Sequence, residues 1–76
     1  MKTVQISLNS IDKVKSFVND ITKFDYDFDL VSGRYVIDAK SIMGIFCLDL
    51  SKPFDLNILA EVSVDDVLAT LKPYMI

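Results

Sequence analysis

The sequence of 76 residues contains no histidine and only two glycines. Without histidine, neither a Ser-His nor a Cys-His catalytic pair can form, because both need an imidazole to activate the nucleophile. Two isolated glycines cannot build a glycine-rich phosphate-binding loop. A carboxylate-only catalyst is not favoured either, because no Asp or Glu pair with apolar flanks stands out as a general acid and base. The sequence therefore predicts a protein that is not an enzyme and needs no cofactor.

A basic excess, a second cysteine and a long apolar run are also missing. Eight Lys and Arg face 11 Asp and Glu, giving a formal charge of −3, so a nucleic-acid partner is not expected. The most apolar window, Ile42 to Leu48, is far shorter than the roughly 20 residues that span a bilayer. One cysteine forms no internal disulfide, and residues 1–5 lack the pattern of a secretory signal. We expect a cytoplasmic protein with no membrane partner.

The composition is that of one small globular domain. About half of the residues, 51%, are apolar and 25% are charged. This balance is typical of a folded core rather than of a disordered or fibrous chain. No internal repeat and no linker divides the sequence, so we expect a single domain over residues 1–76.

The N-terminal part predicts a strand followed by a helix. Val4, Ile6 and Leu8 alternate with polar residues, which indicates a strand over residues 2–8. Asn9 or Ser10 then caps a helix. The apolar face of that helix is predicted to consist of Ile11, Val14, Phe17, Val18 and Ile21.

A β-hairpin is predicted next. Apolar and acidic residues alternate strictly over residues 24–30, which separates the two classes only in an extended strand. A metal site is not favoured at Asp25, Asp27 and Asp29, because carboxylates along one strand do not converge on an ion. A two-residue loop of Ser32 and Gly33 would pair Leu30 with Tyr35 and Phe28 with Ile37, and would place these four residues on the buried face.

The C-terminal half predicts a helix, a strand and a helix. A short helix runs from Ser41 to about Leu48, with Ile45 and Leu48 toward the sheet, and a loop covers residues 49–53. A strand follows over residues 54–60, and Ser63 caps a last helix that ends at Pro73. The inner face of that helix is predicted to consist of Val64, Val67, Leu68 and Leu71.

The resulting order, βαββαβα, predicts an α+β open-faced two-layer sandwich with a four-stranded antiparallel sheet. Cys47 lies in an apolar run without a histidine to activate it, so we expect a buried, inert thiol.

The run Lys40-Ser41-Ile42-Met43-Gly44 resembles the regulatory serine segment of HPr, the histidine-containing phosphocarrier of the bacterial sugar phosphotransferase system. The resemblance extends from the first helix near Val14 to the last helix near Leu71. HPr has the same βαββαβα order, so the resemblance implies an HPr-like fold over the whole chain.

The junction between the first strand and the first helix departs from HPr. HPr carries its phosphorylated histidine there, followed two residues later by an arginine. Here the stretch Leu8–Asp12 contains neither and places Asp12 where a cation would hold the phosphate. The resemblance therefore implies a regulatory HPr-like protein that keeps the serine but is not a phosphocarrier.

The resemblance also implies a set of sites and partners. Ser41 would be phosphorylated by an HPr kinase, although an N-cap serine needs no further role. Ile42, Met43 and Phe46 would form an apolar patch for a transcriptional regulator or a phosphotransferase component, unless Phe46 packs in the core or in a dimer. The alternative is a degenerate structural or self-association module without phosphorylation. We expect a monomer or a weak homodimer.

Overall fold

The computed structural model describes residues 2–60 and 64–76. Its elements follow the predicted order βαββαβα. They are β1 (Lys2–Ile6), α1 (Ile11–Ile21), β2 (Asp27–Ser32), β3 (Tyr35–Asp38), α2 (Ile42–Phe46), β4 (Phe54–Leu59) and α3 (Asp65–Leu71). One 3-10 turn, Lys72–Tyr74, continues α3.

The strands form one antiparallel sheet in the order β1-β4-β2-β3. Leu56 of β4 lies opposite Val4 of β1 and Leu30 of β2, so the central strand joins both halves of the sheet. The helices cover one face, and the predicted open-faced sandwich is confirmed. We call the other side of the sheet the open face. Its strand residues are Thr3, Gln5, Asp27, Asp29, Val31, Val36, Asp38, Asp55, Asn57 and Leu59.

The core lies between the helices and the sheet, because successive strand residues point to opposite sides. Its buried side chains are Ile6, Leu8, Val14, Phe17, Ile21, Phe28, Leu30, Ala39, Ile45, Phe54, Leu56, Ile58, Val67, Leu71 and Tyr74. No polar or charged residue is buried among the residues described. The core is therefore held by apolar burial, which contributes about 1.5–3 kcal/mol for each large side chain.

Helix α1 begins at the predicted cap. The Ser10 Oγ accepts a hydrogen bond of 3.1 Å from the Lys13 N–H. The predicted face is correct for Val14, Phe17 and Ile21, which are buried, but wrong for Ile11, which is 58% exposed. Helical side chains lean toward the N-terminus, so the first residue projects past the end of the helix.

Strand β2 begins at Asp27, three residues later than predicted. Residues 24–26 form a bend in which the Phe24 and Tyr26 rings stack with centroids 6.5 Å apart. The Phe24 carbonyl accepts a hydrogen bond from the Lys40 ammonium instead of a strand partner. Asp25 therefore lies outside the strand, and the expected acidic face retains Asp27 and Asp29.

The hairpin register also differs from the prediction. Leu30 pairs with Ile37, and Ser32 pairs with Tyr35, so the loop consists of Gly33 and Arg34. Gly33 has φ of 58°, a positive angle that suits glycine at the first position of a two-residue hairpin loop. The pairing shifts by two residues, so the facing is preserved, but Tyr35 moves to the end of the sheet and is 67% exposed.

Helix α3 has the predicted inner face. Val67 and Leu71 are buried, and Val64 and Leu68 pack against the core. The proposed cap, Ser63, lies outside the described residues. The α-helix ends at Leu71, and Pro73 sits within the following 3-10 turn.

The C-terminal residues pair with one edge of the sheet. The Ser7 N–H donates to the Tyr74 carbonyl at 2.8 Å, and the Ile76 N–H donates to the Gln5 carbonyl at 3.2 Å. Met75 forms an antiparallel bridge with Ile6 at the end of β1. Strand β3 is the opposite edge.

Within residues 2–60 and 64–76, no helix is both long and apolar enough to cross a bilayer.

Candidate functional site

A tight turn after β3 positions Ser41. The Ser41 N–H donates to the Asp38 carbonyl at 2.9 Å, and the Asp38 carboxylate accepts the Lys40 N–H at 3.0 Å. Ala39 is buried between them, and its N–H donates to the Phe28 carbonyl. These bonds tie the turn to β2, so that Ser41 stands at the start of α2.

Ser41 is the N-cap of α2, as predicted, and its side chain is exposed. Its Oγ accepts a hydrogen bond from the Gly44 N–H, but the distance is 3.4 Å, beyond the usual range for this bond. A long bond holds the hydroxyl loosely. The Ser41 hydroxyl is therefore accessible without breaking a strong contact.

Lys40, the neighbour of Ser41, points elsewhere. Its ammonium donates to the Phe24 carbonyl at 2.9 Å and lies 5.6 Å from the centroid of the Phe28 ring. Both contacts keep the charge beside β2 and the bend that precedes it. The Lys40 charge is therefore already engaged away from the Ser41 hydroxyl.

Gly44 lets α2 lie close to β3. A Cβ at this position would stand 3.2 Å from the Ser41 Oγ and 3.3 Å from the Ile37 Cδ1. Both distances are tighter than ordinary side-chain contacts. The glycine in the motif thus serves the cap and the contact between the helix and the sheet.

The three predicted patch residues are placed differently from one another. Met43 is 72% exposed and Phe46 is 37% exposed, whereas Ile42 is half-buried and packs against the core. Residues three apart lie side by side on a helix, so Met43 and Phe46 share one stretch of its surface. We call these two residues the α2 patch. Ile45 is buried, as predicted, and anchors the helix to the core.

The expectation of a buried Cys47 thiol is wrong, because Cys47 is exposed. Cys47 follows the buried Ile45 by two residues, and two residues turn an α-helix by about 200°. Its side chain consequently faces away from the core. Because the helix ends at Phe46, no further turn covers the thiol.

The junction before α1 contains no cationic side chain among Leu8–Asp12. Leu8 is buried, Ser10 caps the helix, and Asp12 lies in its first turn. The Ser10 hydroxyl is thus occupied as a cap. The described part of the chain has no concave pocket and no group of three or more metal-ligating side chains.

Two exposed or long-range features, one beside α2 and one on the open face, were not among the predictions from the sequence. The contact between the Lys40 ammonium and the Phe24 carbonyl joins residues 16 positions apart. Val36 is 61% exposed, although it lies in an apolar run. The only sequence signal for Val36 is its alternation with Tyr35 and Ile37, which assigns it to the open face.

Strand order, helix order and sheet topology define an HPr-like fold. The chain is similar to HPr-C-His from Thermoanaerobacter tengcongensis, known from its crystal structure, with a TM-score of 0.80 and 23% sequence identity. The similarity covers 97% of this chain and 91% of that chain. No family model and no curated protein sequence matches the chain. The resemblance predicted from the sequence is thereby confirmed at the level of the fold.

Proposed function

We propose that this chain is an HPr-like regulatory module that binds a protein partner through the α2 patch and is controlled by phosphorylation of Ser41. It is related to the sugar phosphotransferase system but is neither a histidine phosphocarrier nor an enzyme. One observation carries the proposal: an accessible Ser41 hydroxyl and the exposed Met43 and Phe46 belong to the same short helix.

The α2 patch is suited to contact another protein. Met43 is flexible and polarisable, and methionine is common on surfaces that adapt to different partners. Phe46 supplies an aromatic ring that is 37% exposed, and aromatic side chains are enriched at protein interfaces. Ile45 anchors the helix beneath them, which keeps the patch in place.

Phosphorylation would change this surface by its charge. A phosphoryl group adds about −1.5 to −2 charges at neutral pH. Because the Lys40 ammonium is engaged with the Phe24 carbonyl, a cation for the phosphate would come from the binding partner. Phosphorylated protein would then select partners that place Arg or Lys beside Ser41, while unmodified protein would select apolar ones.

Treatment with a bacterial HPr kinase and ATP tests the modification, with intact mass as the readout. We expect one added phosphate on the wild type and none on Ser41→Ala. Ser51→Ala is the matched control, since Ser51 is another exposed serine, in the loop before β4, and its variant should be modified like the wild type. No phosphate on the wild type, or equal phosphate on Ser41→Ala, would contradict the proposal.

The same exposed side chains support the alternative, a self-association module without phosphorylation. An apolar patch of this kind also fits a second copy of itself. Sedimentation velocity over a wide range of protein concentrations separates the two. A dimer that Met43→Glu abolishes, and that Met75→Glu leaves intact, would favour self-association, because Met75 is 37% exposed but lies far along the chain in the C-terminal tail. A monomer at every concentration removes this alternative.

A further inference from the structure

The open face of the sheet concentrates negative charge. Four of its ten strand residues are aspartates, Asp27, Asp29, Asp38 and Asp55, and none is Lys or Arg. The four carboxylates carry a formal charge of −4, whereas the whole chain carries −3. The remaining residues therefore carry a net formal charge of +1. The charge is therefore asymmetric, with the negative end on the face opposite the helices.

Two of these carboxylates oppose each other directly. Asp29 of β2 pairs with Asp38 of β3 in the register. Side chains at such positions have Cβ atoms about 4.5–5.5 Å apart, and like charges there are destabilising. Within the described residues, neither carboxylate has an Arg or Lys within salt-bridge distance. The Asp38 carboxylate accepts the Lys40 N–H at 3.0 Å, but no described cationic side chain offsets the repulsion between the two carboxylates.

Exposed apolar side chains flank the acidic pair on both sides. Val36 lies next to Val31 in one neighbouring row and is 61% exposed. Leu59 lies opposite Asp27 in the other row and is 41% exposed. A row here is a set of residues that lie opposite one another on neighbouring strands. Successive rows on one face are about 6.5–7 Å apart, which is also the distance between every second residue of an extended peptide.

We propose that the open face binds a basic, extended segment of a partner protein, in which the side chains on one side of the strand, at every second residue, are alternately apolar and Arg or Lys. The cations would lie on Asp29 and Asp38, and the apolar side chains on Val36 and Leu59. A second copy of this chain does not fit, because face-to-face contact would bring four carboxylates against four. This surface is separate from the α2 patch and does not depend on the function proposed above.

Binding can be measured by fluorescence anisotropy with a labelled synthetic peptide that repeats Leu-Ser-Arg-Ser, in which Leu and Arg share one side of the extended chain, at an ionic strength of about 0.15 M. We expect saturable binding to the wild-type protein. A peptide of the same length that repeats Ser-Ser-Arg-Ser carries the same charge without apolar side chains, and we expect it to bind several-fold more weakly. Equal binding of both peptides would mean simple charge attraction and would overturn the proposal.

Paired variants locate the site. Asp29→Asn with Asp38→Asn should weaken binding about fivefold, in line with two solvent-exposed ion pairs. Asp65→Asn with Asp66→Asn removes the same charge from the first turn of α3 and should change binding by less than about twofold. Equal losses in both double variants, or none in either, would overturn the proposal.

The double variant also provides its own folding control. Because the Asp29–Asp38 pair is repulsive, and an asparagine oxygen at position 38 can still accept the Lys40 N–H, replacing both carboxylates should raise the thermal midpoint rather than lower it. A loss of binding would then not result from unfolding. Backbone amide shifts on peptide addition should fall in β2, β3 and β4, and shifts confined to α2 would overturn the assignment.

Discussion

Two serines with the same capping role are held differently. The Ser10 Oγ lies 3.1 Å from the Lys13 nitrogen, whereas the Ser41 Oγ lies 3.4 Å from the Gly44 nitrogen. Ser10 also caps the longer helix, since α1 has 11 residues and α2 has five. The Ser10 cap should therefore matter more for stability, and Ser41 should be freer to serve another purpose.

Alanine substitution measures this difference. Ser10→Ala should lower the free energy of unfolding by about 1 kcal/mol, and Ser41→Ala by about half of that, because the lost hydrogen bond is already long. Urea denaturation of both variants beside the wild type gives the values. A larger loss for Ser41→Ala would show that its hydroxyl is firmly held, against the accessibility described here.

At the scale of elements, the hairpin between β2 and β3 depends on one backbone angle. Gly33→Ala should destabilise the protein by about 1 kcal/mol, because φ is 58° and a Cβ disfavours that conformation. No atom lies within 4 Å of the added Cβ, so the loss would come from the backbone and not from a clash.

Arg34→Ala is the matched control for this change, since Arg34 occupies the other loop position with an ordinary φ. Its free energy of unfolding should differ from the wild type by less than about 0.5 kcal/mol. Equal losses in the two variants would show that the loop tolerates a side chain at Gly33.

The junction between β1 and α1 should resist conversion into a phosphocarrier site. Ser10→His restores an imidazole but removes the cap hydroxyl, and Asp12 remains in the first turn. A phosphoryl group would meet that carboxylate with a repulsion of about 1 to 4 kcal/mol. We expect no phosphate transfer from phosphoenolpyruvate through the phosphotransferase enzyme, read by intact mass.

The double variant Ser10→His with Asp12→Arg is the companion to this test, because it also replaces the opposing charge. It should accept more phosphate than the single variant. Efficient phosphorylation of Ser10→His alone would show that the junction lacks nothing but the histidine.

Alternation and helical spacing predicted the order of the elements and most of the core, because burial of apolar side chains dominates both. They did not predict where β2 begins, since the Phe24 carbonyl bonds to Lys40 from a distant turn. They also failed at the ends of helices, for Ile11 and Cys47, where no neighbouring element covers a side chain that the pattern marks as apolar. At the candidate site, Ser41 was predicted as a cap, but the direction of Lys40 depended on tertiary contacts.

At the scale of the whole molecule, Tyr74 joins the C-terminal turn to α1. Its hydroxyl donates to the Asp20 carboxylate at 2.7 Å, and its ring packs edge-on against Phe17. Burial, followed by the hydrogen bond to Asp20 and its negative charge, raises the pKa of Tyr74 from 10.0 to about 12. The neutral phenol is therefore favoured in the folded state.

This shift predicts a loss of stability in alkaline solution. Between pH 10 and about 12 the unfolded chain releases the Tyr74 proton while the folded protein keeps it, so the free energy of unfolding falls as pH rises. Below pH 10 this contribution is fully present. Tyr74→Phe should show a smaller fall over the same range in urea denaturation, and an identical fall in both proteins would assign it to other groups.

The C-terminal residues 74–76 also affect which edge of the sheet can pair with a strand of another chain. Another chain can add a strand beside β3, but at the end of β1 it would first have to displace the residues that follow Tyr74. Two copies that meet edge to edge would therefore have a full strand to pair with only at β3, because residues 5–7 of the other edge are already bonded to the C-terminal residues. Release of the C-terminal residues would lengthen the β1 edge that a further copy could pair with, and so would favour growth beyond a pair.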